Sequence, residues 1–315
     1  MLTVFSVILP IFLVMLVGYI AAKVNLLSQR SMSEMGRYVI YIALPAVIIK
    51  TVLHIDIQAI LNVRYLLAYA VSSVAITVVA MIGLRKWLKL KGLDAAVAVT
   101  GMVVPNSSFI GYPIILQLMD NPPVNAFAMA LLVENLCVLP ICFILMDYGA
   151  LESQHALKTK LKALLIKVVK NPLLIAILIG VMGNVLHITL PKAIDQTLAL
   201  FAPSAVAVAL FAIGGSLAAI EIRNTRRDQL TVVTLGKLII HPLMAIAMLT
   251  LLLPGQAYDL KLALVIITAM PMFSIYSVIG DIYGRQTFCT TAQLVTNGLS
   301  VVTIPVMITI AQMVF

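Results

Sequence analysis

The stretch around Pro105 carries the residues best suited to bind a ligand. It reads Val-Val-Pro-Asn-Ser-Ser-Phe over 103–109 and lies in the middle of an apolar segment. A proline removes a backbone donor and clashes with the carbonyl four residues earlier, whereas Asn and Ser favour helix caps over helix interiors. The sequence therefore predicts a helix that unwinds at Pro105 and begins again near Asn106. The N–H groups at this new start carry about half a positive charge, which suits a carboxylate or another anion.

A second proline, Pro271, lies equally central in a later apolar segment, with fewer polar side chains around it. If the two breaks meet, the polar groups after Pro105 hold the polar end of a substrate, and Met270, Met272 and Phe273 contact its apolar side. The alternative is an ordinary proline kink in each helix, with the backbone satisfied by serine hydroxyls. The predicted substrate-binding residues are Pro105, Asn106, Ser107, Ser108, Pro271, Met272, Phe273 and Ser274.

Four further polar residues inside apolar segments are candidate coupling residues, namely Glu134, Asn135, Lys237 and Asn297. A carboxylate costs a few kcal/mol at the centre of a membrane helix, so Glu134 is either a proton-coupling group or a structural group bonded to neighbouring helices. Lys237 is interpreted as a side chain that reaches the cytoplasmic interface, and pairing with Glu134 or a substrate anion is the alternative. Asn135 and Asn297 either line the same interior or join helices.

The composition requires that membrane helices position these residues. The 315 residues are 62% hydrophobic and 10% charged, against about 25% charged in soluble domains. Apolar runs long enough to cross about 30 Å of hydrocarbon recur throughout. The three cysteines and four histidines have no metal-ligand spacing, so no metal or cofactor is predicted. The predicted spans are 4–22, 35–54, 65–86, 95–119, 125–147, 172–188, 193–219, 229–253, 260–282 and 288–314.

The basic residues predict the orientation of these spans. With a non-cytoplasmic N-terminus, sixteen of the 21 Lys and Arg residues fall in cytoplasmic loops and only four on the opposite side. This bias follows the positive-inside rule and predicts that both termini face away from the cytoplasm. The net charge of +9 is therefore explained by topology, and no nucleic-acid partner is predicted. A short basic linker, 151–171, joins the two halves, and its 155–170 segment is predicted to be an amphipathic helix on the cytoplasmic leaflet.

Four pairs of prolines suggest an internal repeat. Their separations lie between 158 and 166 residues; the pairs are Pro10 with Pro172, Pro45 with Pro203, Pro105 with Pro271, and Pro140 with Pro305. Because a five-helix unit has an odd number of spans, its second copy is inverted in the membrane, an arrangement that recurs in transporters. The fold predicted is an all-α polytopic membrane protein of ten helices in two inverted repeats, 1–150 and 172–315. Coincidence among prolines is the alternative.

Several short motifs, in this order and spacing, resemble the auxin efflux carrier family. They are the residues at 9–12, 18–19, 43–46, 105–106, 209–214 and 237–238, with Pro242. The resemblance implies that the fourth and ninth predicted spans, 95–119 and 260–282, cross at their mid-membrane breaks. It also implies a scaffold of spans 1, 2, 6 and 7, a transport domain of spans 3–5 and 8–10, an elevator-like movement and a homodimer.

The predicted function is a secondary active transporter of small organic anions, mono- or dicarboxylates, with possible proton coupling. The sequence contains no P-loop, and no nucleophile or metalloprotease motif that would indicate an enzyme. A non-transporting membrane sensor and a passive anion channel are the alternatives. A bacterial inner membrane is the expected location.

Overall fold

A computed structural model describes residues 2–53, 62–119, 121–150, 170, 172–218, 226–255 and 257–315. Within these ranges the chain forms helices and no strands, which confirms the all-α prediction. The predicted linker lies outside the described residues, except Lys170. The helices are α1 (Leu2–Lys23), α2 (29–52), α3 (Val63–Lys86), α4 (Gly92–Val103), α5 (Ser107–Leu118), α6 (Val124–Gly149), α7 (Pro172–Val185), α8 (Lys192–Leu217), α9 (Arg227–Leu252), α10 (Tyr258–Ala269), α11 (Tyr276–Ile282) and α12 (Gln286–Val314).

Six described helices are long and apolar enough to cross a membrane: α2, α3, α6, α8, α9 and α12. The chain is therefore a multi-pass membrane protein. The predicted span 95–119 is divided into α4 and α5, and the span 260–282 into α10 and α11, so each is interrupted next to its central proline. The number of ten spans and their inverted arrangement stay predictions.

Four of the helices that the structure describes contain a π turn, and each π turn ends two positions before a proline. Proline has no N–H to donate and its ring clashes with the carbonyl four residues earlier, so the preceding turn widens from the α to the π pattern. Three of these wider turns contain the polar residues Ser107, Glu134 and Lys237. The π turns are Val39–Ala43 before Pro45, Ser107–Gly111 before Pro113, Glu134–Val138 before Pro140, and Gly236–Ile240 before Pro242.

Glycines allow α1 and α8 to pack with their backbones in contact. A Cβ atom on Gly214 would collide with the backbone carbonyl of Met15, and one on Gly18 would collide with that of Phe211. Small residues at such positions let membrane helices approach closely, and this approach is a main source of helix association in lipid.

Side-chain bonds to backbone fix the helices that flank this pair. Asn184 Nδ2 on α7 donates to the carbonyls of Val52 and Leu53 at the end of α2, both at 2.9 Å. The Tyr38 and Ser204 hydroxyls, on α2 and α8, are 2.6 Å apart. Helices α1, α2, α7 and α8 thus form one packed group. The other helices pack mainly with each other, as in α3 with α9, α4 with α6, and α10 and α11 with α12.

A Gly214→Ala substitution is expected to destabilise the protein by about 1–3 kcal/mol, the usual cost of overpacking, because the added methyl group meets backbone that cannot rotate away. Thermal unfolding of the detergent-purified protein measures this effect. Gly298→Ala on α12 is the matched control, since a Cβ atom there meets nothing within 4 Å. Equal melting temperatures for the two variants would show that the α1–α8 contact is not tight.

Candidate functional site

The two interrupted segments lie side by side as a short antiparallel pair. The Asn106 N–H donates to the Pro271 carbonyl at 2.8 Å, and the Phe273 N–H donates to the Val104 carbonyl at 3.3 Å. Pro105 and Met272 occupy the bridge between these bonds. Non-helical backbone at membrane depth requires protein or water partners, and here each break supplies partners for the other. The two prolines therefore mark one site.

The side chains of this pair are divided between the cavities beside it and the protein core. Asn106 is 4% exposed, and its Nδ2 donates to Ser274 Oγ at 3.1 Å. Successive side chains of an extended segment point in opposite directions, so Phe273 lines a cavity while Met272 is fully buried beside Gly101. Neither Pro271 nor Met272 lines the two cavities described below, and their contact with a substrate stays a prediction.

The carboxyl group of Glu134, which belongs to α6, lies beside the first turn of α5, at the positive end of that helix. Its Oε1 accepts hydrogen bonds from Ser107 Oγ at 2.5 Å and from Tyr69 OH at 2.9 Å, and the residue is 5% exposed. The Ser107 hydroxyl thus donates its hydrogen to Glu134 and keeps only its acceptor capacity. Asn135, the next residue on α6, donates to the Leu131 carbonyl at 2.8 Å and lines a cavity. The π turn Glu134–Val138 of α6 places the side chains of Glu134 and Asn135 beside the break at Pro105.

Lys237 is fully buried, so the prediction that it reaches the membrane interface is wrong. Its Nζ donates to the Thr268 carbonyl at 3.1 Å and lies 3.0 Å from His241 Nδ1. Thr268 belongs to the last turn of α10, where unpaired carbonyls form the negative end of the helix. A lysine at this position satisfies one of them and complements the helix dipole. The break itself therefore retains the lysine inside the protein.

A chain of buried polar groups leads from this lysine towards Glu134. His241 Nε2 is 3.4 Å from Ser73 Oγ, and the His241 ring is stacked on Tyr69 at a centroid distance of 6.4 Å. Tyr69 then donates to Glu134. Lys237 and Glu134 are therefore connected through α3 rather than by a direct hydrogen bond. Sequence reasoning missed Tyr69 and Ser73, although two polar residues four positions apart in an apolar span place both on one helix face.

Asn297 on α12 is 3% exposed and bonds within its own helix, since Nδ2 donates to the Gln293 carbonyl at 2.7 Å. Gln293 Nε2 in turn donates to the Ser274 carbonyl at 3.1 Å and the Phe273 carbonyl at 3.4 Å. The Gln293 amide thus supplies hydrogen bonds to two backbone carbonyls that the break at Pro271 leaves without helical partners. Gln293 therefore joins α12 to the second break, and Asn297 lies one turn further along the same helix.

Two cavities of about 410 and 390 Å³ flank the paired breaks. Both are lined by Asn106 and Phe109 from one break, Ser274 and Ile275 from the other, and Ile40 from α2. The first cavity, which we call cavity one, is also lined by Pro105, Ser107, Ser108, Glu134, Asn135 and Lys170. The second, cavity two, is also lined by Arg37, Ser216, Ser277, Thr290, Gln293 and Asn297. Within the described ranges, no three His, Cys, Asp or Glu side chains form a group that could hold a metal ion.

The comparison with known families decides what kind of protein this is. A family model described as Membrane transport protein matches residues 3–308. The chain belongs to this family of auxin efflux carriers. A family of membrane transporters, rather than enzymes, agrees with a site that has two cavities beside broken helices.

Two relatives of this auxin efflux carrier family member cover most of its length. The uncharacterized transporter YfdV of Escherichia coli (strain K12) is 26% identical over 314 residues, with 97% of each chain aligned. The lysosomal cholesterol signaling protein of Mus musculus is 25% identical over 268 residues, which are 80% of this chain. The chain spans only 30% of the length of that mouse protein.

Proposed function

We propose that the protein is a secondary active transporter of small organic anions, mono- or dicarboxylates, which bind at the paired breaks. The observation that carries this proposal is the antiparallel pair itself, which leaves the Asn106 amide and Ser274 hydroxyl between two cavities. The first N–H groups of α5, at 107–109, have no partner within their helix. Together with the helix dipole they favour an anion.

Glu134 is the proposed proton-coupling residue. An ionised Glu134 and a bound carboxylate about 6 Å apart would repel each other by roughly 3 kcal/mol at an effective dielectric constant of about 20. Protonation removes this repulsion, so a proton and an anion bind more favourably together than either does alone. The chain of Tyr69, His241 and Lys237 behind the carboxyl group supplies polar partners in an otherwise apolar region.

We further propose an elevator-like alternating access in ten spans that form two inverted repeats. The scaffold consists of α1, α2, α7 and α8, and the transport domain contains α3–α6 and α9–α12. Three features support this division: the tight α1–α8 contact, the bonds of Asn184 to the end of α2, and the position of both cavities between α2 and the breaks. Movement along α2 would change the side from which the cavities are reached.

The location, the orientation and the assembly follow from the same proposal. The excess of basic residues on one side favours an orientation with both termini non-cytoplasmic, and the similarity to the Escherichia coli transporter favours a cell membrane, the bacterial inner membrane. The family resemblance favours a homodimer, and the lipid bilayer itself is the remaining partner.

Uptake by purified protein in liposomes tests the transport proposal. The panel comprises acetate, malonate, succinate and benzoate, each with an imposed proton gradient, with a sodium gradient and with neither. We expect saturable uptake of at least one acid, stimulation by the proton gradient, and acceleration by the same acid on the opposite side. Uptake that is linear in concentration and lacks counterflow would indicate a channel, and no uptake of any panel acid would reject the proposal.

A membrane sensor is the second candidate, favoured by the similarity to the mouse lysosomal cholesterol signaling protein. A sensor would bind a ligand in the cavities without carrying it across the bilayer. Stabilisation of the purified protein by a panel acid that the same preparation does not transport would favour the sensor over the transporter.

A further inference from the structure

The two cavities beside the breaks differ in charge. Cavity one contains the Glu134 carboxyl group in its wall, with Lys170 as its basic residue. Among the described residues that line cavity two there is no carboxyl group; hydroxyl groups, the amides of Gln293 and Asn297, and the guanidinium of Arg37 line it instead. An anion that enters cavity two therefore meets a cation and neutral donors, whereas in cavity one it meets a group that can carry a negative charge.

Arg37 lies on α2 next to the point where this helix approaches the first break. At Gly36, an added Cβ atom would be 3.8 Å from the ring of Phe109, which belongs to the first turn of α5. Arg37 is exposed, and within the described part of the chain it forms no ion pair or hydrogen bond. The nearest acid on its own helix, Glu34, is paired instead with Arg30 at 2.9 Å. The charge of Arg37 thus remains available to a ligand.

Resting on the proposed transport of organic anions, we infer that the anionic group of the substrate binds in cavity two and that Arg37 sets the preference for a charged over an uncharged substrate. The Asn106 amide is shared by both cavities and contributes to binding from either side. Cavity one then receives the remainder of the substrate. In this division the substrate carboxylate and Glu134 belong to neighbouring cavities that share Asn106, so they repel each other across the break without occupying the same cavity.

Matched acids and amides test this assignment. The probe is the panel acid that the wild-type protein carries fastest, together with its uncharged amide, for example succinate with succinamide or benzoate with benzamide. Hydrogen bonds to charged groups are among the stronger ones, although solvent screens the exposed Arg37 side chain. Arg37→Gln should therefore raise the KM for the acid about tenfold. The inhibition constant of the amide should not change, and Arg37→Lys should restore most of the acid affinity.

Two control variants make the result specific. Arg85→Gln removes an exposed basic residue of α3 that lines neither cavity, so it should leave the KM unchanged. Lys170→Gln removes the basic residue of cavity one and should change the KM less than Arg37→Gln does. The inference is rejected if Arg37→Gln leaves the KM for the acid unchanged, weakens acid and amide equally, or has a smaller effect than Lys170→Gln. Those results would leave the proposed transport of organic anions intact. A wild-type protein that carries no panel acid would reject both the transport proposal and the role of Arg37.

Discussion

Asn106→Ala is expected to raise the KM for a transported acid by about tenfold or more while the protein still folds. The Asn106 side chain lines both cavities, and its loss removes a neutral donor from the bound carboxylate, worth roughly 1.5–3 kcal/mol. Alanine retains the backbone N–H that donates to the Pro271 carbonyl, so the two breaks should stay paired. Uptake at varied substrate concentration gives the KM, and thermal unfolding reports whether the fold is intact.

Asn184→Ala is the matched control for this variant. It also removes a partly buried amide with two hydrogen bonds to backbone, but those bonds join α7 to α2 away from the breaks. We expect it to lower the melting temperature with little change in KM. If Asn106→Ala has a wild-type KM, or if Asn184→Ala raises the KM as much, the substrate does not bind at the paired breaks.

Glu134→Gln is expected to abolish the stimulation of uptake by a proton gradient. Glutamine retains an oxygen that can accept from Ser107 and Tyr69, but it cannot change charge with pH. In the wild-type protein, a lower pH neutralises Glu134 and removes its repulsion of the bound anion, so uptake should increase as the pH on the substrate side falls. In the variant, uptake should be independent of this gradient, while exchange of substrate without a gradient continues.

Asp147→Asn provides the comparison on the same helix. Asp147 is 7% exposed and accepts a hydrogen bond from Tyr283 OH at 2.7 Å, and it lines neither cavity. Its replacement should leave the gradient effect intact. A Glu134→Gln protein that still responds to the proton gradient like the wild type would make Glu134 a structural group, whose function is to hold Ser107 and Tyr69 together.

The helix breaks could be predicted because a proline disrupts the helical turn that precedes it, whatever the rest of the fold. The same local rule explains the π turns, but the proline positions by themselves predict only the unwound helices at Pro105 and Pro271. The partners of the freed backbone groups could not be predicted, since the Asn106 N–H finds its acceptor in the other half of the chain. For the same reason the opposite directions of Met272 and Phe273 depend on the extended pairing of the second break.

The burial of Lys237 depends on a partner in another helix and could not be predicted from its own helix alone. Near the end of a membrane helix a lysine can reach the interface, but the carbonyls freed at the end of α10 offer a nearer partner. Nothing in the sequence places α2 against the first turn of α5, so the position of Arg37 beside cavity two could not be predicted. Both residues acquire their importance from contacts between distant segments, which spacing along the chain does not encode.

The pairing of the two breaks also constrains how the protein is made. Asn106 and its side-chain partner Ser274 are 168 positions apart, so α4 and α5 enter the bilayer during synthesis long before α10 and α11 exist. Until then, the polar groups of the first break lack their final partners in a medium where each such group costs several kcal/mol. The first half of the chain must therefore remain in contact with water or with the insertion machinery, and its last packing step follows the arrival of residue 271.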